Sequence, residues 1–203
     1  MFYRPGLDGH GLPHNPFKAL VSPRPIGWIS SQDGKGAVNL APYSFFNAVA
    51  DTPPMVMYSS TGEKPGDAPG KDTLANIRET GEFVVNIVGR ALAGAMSATS
   101  GFYPAGADEF ELAGLAKAPS RVVAPPRVAL APAALECRLW KTIDLPGAAN
   151  ILVLGEVVGI HIDDAVLREG KVDVTLYQPL SRLGYRDYAA VAEVFALNRP
   201  NQG

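Results

Sequence analysis

Eighteen prolines and twenty-one glycines are scattered along 203 residues, and few long helices survive such interruption. Proline fixes φ and removes a backbone donor, and glycine opens turns. The chain therefore reads as many short strands joined by turns, not as a helical bundle. Strand-like runs fall at 26–31, 38–40, 55–60, 83–88, 134–143 and 151–162. The segment 135–143 alternates, with Leu135, Cys137 and Leu139 on one face and Glu136, Arg138 and Trp140 on the other. Leu145-Pro-Gly-Ala148 follows as a turn, so the last two long runs form an antiparallel hairpin.

Helices are fewer. The segment 71–81 has Asp72 or Thr73 as its N-cap and Gly81 as its stop. A second helix spans 90–100, and 108–113 forms a short third one. The Pro-rich stretch 119–132 reads as a connector crossing the surface, and residues beyond 163 as a long loop carrying Ser181 to Tyr188. Strands with a few helices packed outside suggest a barrel-like sheet. The length favours one domain, 1–203, with an irregular N-terminal arm at 1–16 and a C-terminal tail at 189–203.

An apolar fraction of 47% with 19% charged residues fits a globular chain. A net charge of −2 gives no electrostatic case for nucleic acid or an anionic membrane. The first sixteen residues lack a basic-then-apolar signal pattern, and the run 151–162 is too short to span a bilayer, so a cytoplasmic location is expected. Cys137, the single cysteine, excludes an intramolecular disulfide. Set among leucines in a strand, it reads as a small hydrophobe more than as a nucleophile. His10 and His14 have helical spacing, but Gly9, Gly11 and Pro13 argue against a helix there, and no metal site is expected. No G-x-G-x-x-G, Walker A or G-x-S-x-G sequence is present.

Two stretches carry what chemistry remains. Residues 22–47 read as a strand entered through prolines, a turn at Asp33-Gly-Lys-Gly36, and a second strand interrupted at Pro42, which has no N–H for a ladder. An edge that stops pairing leaves backbone groups in need of a partner, either a ligand or an ordinary irregular hairpin. The second stretch is the helix start at Lys71. Unpaired N–H groups and the helix dipole favour an anion there, with Lys71, the Thr73 hydroxyl and the Ser59-Ser60-Thr61 strand end close by. A plain capped surface helix is the alternative.

Taken together, Ser22-Pro-Arg-Pro-Ile-Gly-Trp-Ile-Ser30, Asn39-Leu-Ala-Pro-Tyr-Ser-Phe-Phe-Asn47, Asp51-Thr-Pro-Pro-Met55 and Lys71-Asp-Thr-Leu-Ala-Asn76 resemble the flavin reductase-like, FMN-binding split-barrel family. Gly81-Glu-Phe-Val-Val-Asn86, Ala107-Asp-Glu-Phe-Glu-Leu-Ala-Gly114 and Gly155-Glu-Val-Val-Gly-Ile-His-Ile162 extend the resemblance over nearly the whole chain. It implies a mainly β fold with peripheral helices, an antiparallel six-stranded Greek-key split β-barrel. It also implies a homodimer and FMN as cofactor. Carried over by motif, Asn39, Leu40, Ala41, Pro42, Tyr43, Ser44 and Asn47 line the isoalloxazine and ribityl chain. Arg24, Ser59, Ser60, Lys71, Asp72 and Thr73 lie toward the ribityl or phosphate end. Tyr43 and Trp28 are alternatively core aromatics, and Trp28 is read as one. Ser181 to Tyr185, with Arg182, are placed near the flavin of the other protomer.

The implied activity is an NAD(P)H-dependent flavin reductase that passes hydride to FMN and serves a separate monooxygenase component. The alternatives are an FMN-loaded oxidoreductase acting on an organic substrate, or a non-enzymatic FMN-binding electron carrier. In each, the flavin carries the difficult chemistry and the protein supplies position and electrostatics. Backbone N–H groups of residues 41–44 are the expected donors to a reduced flavin. His161 either tunes the flavin or is a satisfied core or rim histidine, the latter being preferred. No catalytic residue is assigned.

Overall fold

The computed structural model describes residues 1–62, 71–104, 106–198 and 200. Its strands, in chain order, are β1 (Arg24–Pro25), β2 (Gly27–Gln32), β3 (Val38–Tyr43), β4 (Phe46–Asp51), β5 (Pro54–Ser60), β6 (Glu82–Ile87) and β7 (Lys117–Ala118). They continue with β8 (Arg127–Val128), β9 (Ala133–Asp144), β10 (Ile151–Ile162), β11 (Leu167–Arg168), β12 (Lys171–Val172), β13 (Leu180–Arg182) and β14 (Tyr188–Ala190). The helices are α1 (Phe17–Leu20), α2 (Asp72–Thr80), α3 (Ala93–Ala98), α4 (Glu109–Leu112) and α5 (Val174–Tyr177).

The main sheet has seven strands, not six, in the order β3-β2-β6-β9-β10-β5-β4, each neighbouring pair antiparallel. The additional strand is β4, a run of small residues with weak alternation that pairs with β5 across the Thr52-Pro53 turn. The two edge strands, β3 and β4, are consecutive in the chain, with Ser44 and Phe45 alone between them. So short a link holds the edges together, and the sheet must curl. Tyr43 and Tyr58 meet across the seam with ring centroids 4.6 Å apart, and the Ser59 N–H donates to the Phe45 carbonyl at 2.8 Å. The curl is aided by β-bulges between Leu154 and Gly155 and between Val157 and Gly159 on β10.

β2 is buried on both faces, which is why it reads as a run and not as an alternation. Ile29 points into a cluster with Tyr58, Phe83, Val85, Cys137 and Val153, and α2 closes that cluster with Leu74 and Ile77. Trp28 points the other way, against Leu40, Met96 and Phe110, and its Nε1 donates to the Thr99 hydroxyl at 2.8 Å. It is the core aromatic expected of it. Burying each such side chain contributes roughly 1.5–3 kcal/mol. Gly27 is required beside it, because a Cβ there would lie 2.7 Å from the Phe46 ring.

Three local expectations are corrected. β3 does not stop at residue 40 but pairs through Pro42 to Tyr43, because an edge strand tolerates a proline whose missing N–H faces away from the ladder. Lys71, not Asp72 or Thr73, stands at the N-cap of α2, with no side-chain cap, and Gly81 ends the helix in the left-handed region at φ 74. The 119–132 connector is no simple surface strap. Val123 and Val128 are buried, and the N–H groups of Arg121, Val122 and Val123 all donate to the fully buried Glu136 carboxylate. Glu136 thus leaves the polar face that alternation assigned it, because the connector covers that face.

Candidate functional site

Two adjoining cavities open beside the seam, sharing Pro42 and Ser100 in their walls. The smaller, about 190 Å³, gathers Asn39, Ala41, Pro42 and Tyr43 from β3, Lys71, Asp72 and Thr73 from the start of α2, and Glu109 from α4. The larger, about 620 Å³, gathers Arg24, Pro42 and Ser44 together with the N-terminal arm and the β13–β14 hairpin.

In the smaller cavity a hydrogen-bonded chain fixes the wall. The Thr73 hydroxyl donates to Asn39 Oδ1, and Asn39 Nδ2 donates to Glu109 Oε1 at 2.9 Å. Glu109 Oε2 accepts the Leu40 N–H, also at 2.9 Å. Burial raises the Glu109 pKa above the usual carboxylate range, against the pull of the Leu40 N–H. Lys71 Nζ donates to the Thr61 carbonyl at 2.8 Å and sits 5.4 Å from the centroid of the Tyr43 ring. Burial, and then the neighbouring Lys18, lower the Lys71 pKa. Burial pushes the Tyr43 hydroxyl up to about 12, so it stays neutral across the physiological range.

The pairing of β3 bears on the backbone donors. In an antiparallel ladder N–H groups alternate between partner and open side. The Leu40 N–H faces Glu109 and so away from β2, which turns the Ala41 and Tyr43 N–H groups toward β2. Pro42 has none to offer. Of the expected donors at 41–44, the Ser44 N–H alone remains for a ligand.

Four sequence-predicted residues lie in neither cavity wall. Leu40 is fully buried in the Trp28 cluster. Asn47 is exposed on β4 and its Oδ1 accepts the Ala48 N–H at 2.9 Å, while Ser59 and Ser60 lie along β5 opposite Leu152 and Ile151. Arg24 is 7% exposed and donates to the carbonyls of Lys18, Val21 and Leu183, binding the segment after α1 to the β13–β14 hairpin. Arg182 and Tyr185, placed by resemblance near the other protomer's flavin, line their own chain's larger cavity. His161 Nε2 donates to the buried Glu136 carboxylate, lines neither cavity, and belongs to that structural network. Burial pushes the Cys137 thiol up, away from nucleophilic use. Among the described residues no group of three or more His, Cys, Asp or Glu side chains is arranged to hold a metal.

Sequence reasoning missed Glu109, Lys18 and His14 as wall residues. Glu109 stands within a recognised motif, yet its reach to β3 depends on how α4 packs. Lys18 and His14 belong to a segment without periodicity.

A curled antiparallel sheet with ring-lined, cation-bearing cavities at its seam is the architecture these residues build. Residues 20–186 match the model of the flavin reductase like domain, and the chain belongs to that family. Nitrilotriacetate monooxygenase component B from Bacillus cereus is 33% identical, with 97% of this chain and 98% of that one covered and a TM-score of 0.87. The 2-nitrobenzoate 2-nitroreductase NbaA of Pseudomonas fluorescens is also 33% identical, covering 92% and 89% of the two chains with a TM-score of 0.80. An uncharacterized protein of Deinococcus radiodurans is 41% identical over 189 residues, 89% of this chain and 82% of the relative.

Proposed function

We propose that this chain is an FMN-dependent NAD(P)H:flavin reductase that supplies reduced flavin to a separate monooxygenase component. The observation that carries the reading is the α2 start. It is a helix end without a side-chain cap, flanked by half-buried Lys71 and opening on the cavity walled by Asn39, Pro42 and Tyr43. The helix dipole and a lysine suit the phosphate of FMN. The Thr73–Asn39–Glu109 chain holds that wall in place, and Pro42 and Ser44 lead from it into the larger cavity. FMN, when bound, supplies the hydride acceptor; the residues of this chain bind it, orient it and limit its exposure to water. The full coverage of a monooxygenase component B supports the two-component role.

We read the protein as one cytoplasmic domain that pairs with a second copy. Val56, Tyr58 and Val153 point inward, so alternation turns Met57, Leu152 and Leu154 outward, beside the 37% exposed Ile143. That apolar row supports a homodimer. Among the described residues no helix is long and apolar enough to cross a membrane.

A second reading, a flavoprotein that reduces an organic substrate directly, is favoured by the likeness to the nitroreductase. Absorption spectra before and after anaerobic NADH distinguish the two readings when free FMN and a nitroaromatic are offered in turn. Turnover of NADH with free FMN supports the first, and turnover confined to the nitroaromatic supports the second. The site assignment is tested by Lys71→Ala/Thr73→Ala. Losing the Lys71 charge-assisted bond, together with the Thr73 hydroxyl that holds Asn39 in the wall, costs about 2–3 kcal/mol, roughly a thirty- to hundred-fold weaker hold on FMN. A folded double variant that keeps its yellow colour through gel filtration overturns the assignment.

A further inference from the structure

The wall of the smaller cavity is poorly charged for an anion. Among the described residues it carries one cation, Lys71, against two carboxylates, Asp72 and Glu109. Asp72 stands in the first turn of α2, where the helix dipole favours a negative charge. Glu109 is 5% exposed and joins no ion pair among the described residues. The groups around it leave its charge uncompensated. On its own helix Asp108 is taken by Lys117 of β7, and Glu111 is exposed. From α2, Asp72 opposes it, and Lys71 Nζ is turned to the Thr61 carbonyl. Tyr43 of β3 offers a phenol, while the Tyr103 hydroxyl donates to the Ala98 carbonyl at 2.8 Å. A ligand anion pressed against this wall repels both carboxylates, and the one already penalised by burial gives way first.

The hydrogen bonds of the wall are able to run in either direction. With Glu109 ionised, its two oxygens accept Asn39 Nδ2 and the Leu40 N–H, and the Thr73 hydroxyl gives its hydrogen to Asn39 Oδ1. A protonated Glu109 keeps the Leu40 N–H on Oε2 and donates from Oε1. The Asn39 amide, turned over by half a rotation, then accepts on Oδ1 and donates from Nδ2 to the Thr73 oxygen. Thr73 and Asn39 are buried, so reversing one bond alone would strand a donor or an acceptor. The chain therefore reverses as a unit. Its reversal releases the Thr73 hydrogen toward the cavity that Thr73 lines, where the Tyr43 hydroxyl is within hydrogen-bonding reach.

We propose that filling the smaller cavity with a phosphate anion draws one proton from solvent onto Glu109, and that the Thr73–Asn39–Glu109 chain then reverses so that its Thr73–Tyr43 end donates to the anion. The proton cancels one carboxylate charge as the ligand brings its own, and the same event supplies a donor. The choice of FMN as the anion rests on the flavin reading above; the proton count does not.

Flavin-free wild type and Glu109→Gln are titrated calorimetrically with FMN and with inorganic phosphate, in three phosphate-free buffers of different ionisation enthalpy. Glutamine reproduces the protonated arrangement, with Oε1 on the Leu40 N–H and Nε2 on Asn39, but has no proton to gain. At about pH 7.5 the ligand phosphate, with its second pKa near 6, is already a dianion. There wild type takes up about half a proton or more per FMN, and the variant close to none. From about pH 7 to about pH 8.5 the wild-type affinity falls about fivefold or more, while that of the variant moves less than about twofold. Binding of FMN without proton exchange overturns the proposal. So does uptake that survives in Glu109→Gln, or an alkaline fall shared by both proteins, which assigns the titration to Lys71; each of these leaves the flavin reading standing. If the variant fails to fold, difference infrared spectra of wild type carry the test, a protonated-carboxyl band on addition of FMN being expected and its absence overturning the proposal. A protein that takes up a proton with inorganic phosphate, loses that uptake in the variant and ignores FMN sinks the flavin reading and leaves the proton-linked chain standing.

Discussion

Replacing Glu136 with glutamine tests whether the connector is clamped electrostatically. Glu136 is fully buried, and burial alone would raise its pKa. The His161 bond and the N–H groups of Arg121, Val122 and Val123 outweigh burial and hold the carboxyl at about 2, against an ordinary 4.5. A folded-state pKa below the unfolded value adds stability that is full above the unfolded value and lost as pH falls through the folded one. The shift corresponds to a contribution on the order of 3 kcal/mol at neutral pH, falling to less than half of that by about pH 3. Urea unfolding of wild type and Glu136→Gln at about pH 7 and about pH 3, with equal m-values, reads the difference directly. Glutamine turns an NH₂ toward donors that need an acceptor, so the neutral-pH loss should reach the full amount. A loss below about 1 kcal/mol, or one that is the same at both pH values, refutes the clamp. His161→Ala supplies a milder version of the experiment if the glutamine variant does not fold. FMN retention should be untouched in both, because the connector lines neither cavity.

Two further outcomes follow from the buried groups. Tyr43 has its pKa raised by burial, then adjusted by Thr73, Asp72 and Glu109, to about 12. Its contribution is therefore complete below pH 10 and lost as pH rises toward the folded value; Tyr43→Phe should remove a loss on the order of 2–3 kcal/mol from the alkaline unfolding profile. Cys137 is buried with its thiol pKa pushed up, so a thiol reagent should label the native protein orders of magnitude more slowly than the urea-unfolded one. Equal labelling rates would place the thiol at the surface.

The extent to which this architecture was legible depends on whether a residue's surroundings are local. The long β9–β10 hairpin, the β5 and β6 strands and the Gly81 stop of α2 agree with apolar runs, turn dipeptides and a left-handed glycine. Each of these signals acts over a few neighbours. β4 escaped because a run of small residues has little alternation of its own and becomes a strand by pairing with β5. Pro42 misled for a related reason: it breaks a central strand but not an edge strand, and edge status belongs to the sheet order.

The candidate site divides along the same line. Lys71 and Thr73 at a helix start and Pro42 without an N–H could be named from short-range chemistry, whereas Asn39 and Tyr43 were named through the family resemblance alone. Closure of the sheet brought together groups distant in the chain: Glu109 reached β3, the connector buried Glu136, and Lys18 and Arg182 came to share one wall. Burial and charge proximity are properties of that closed arrangement, because desolvation and Coulomb energy depend on distances in space and not along the chain.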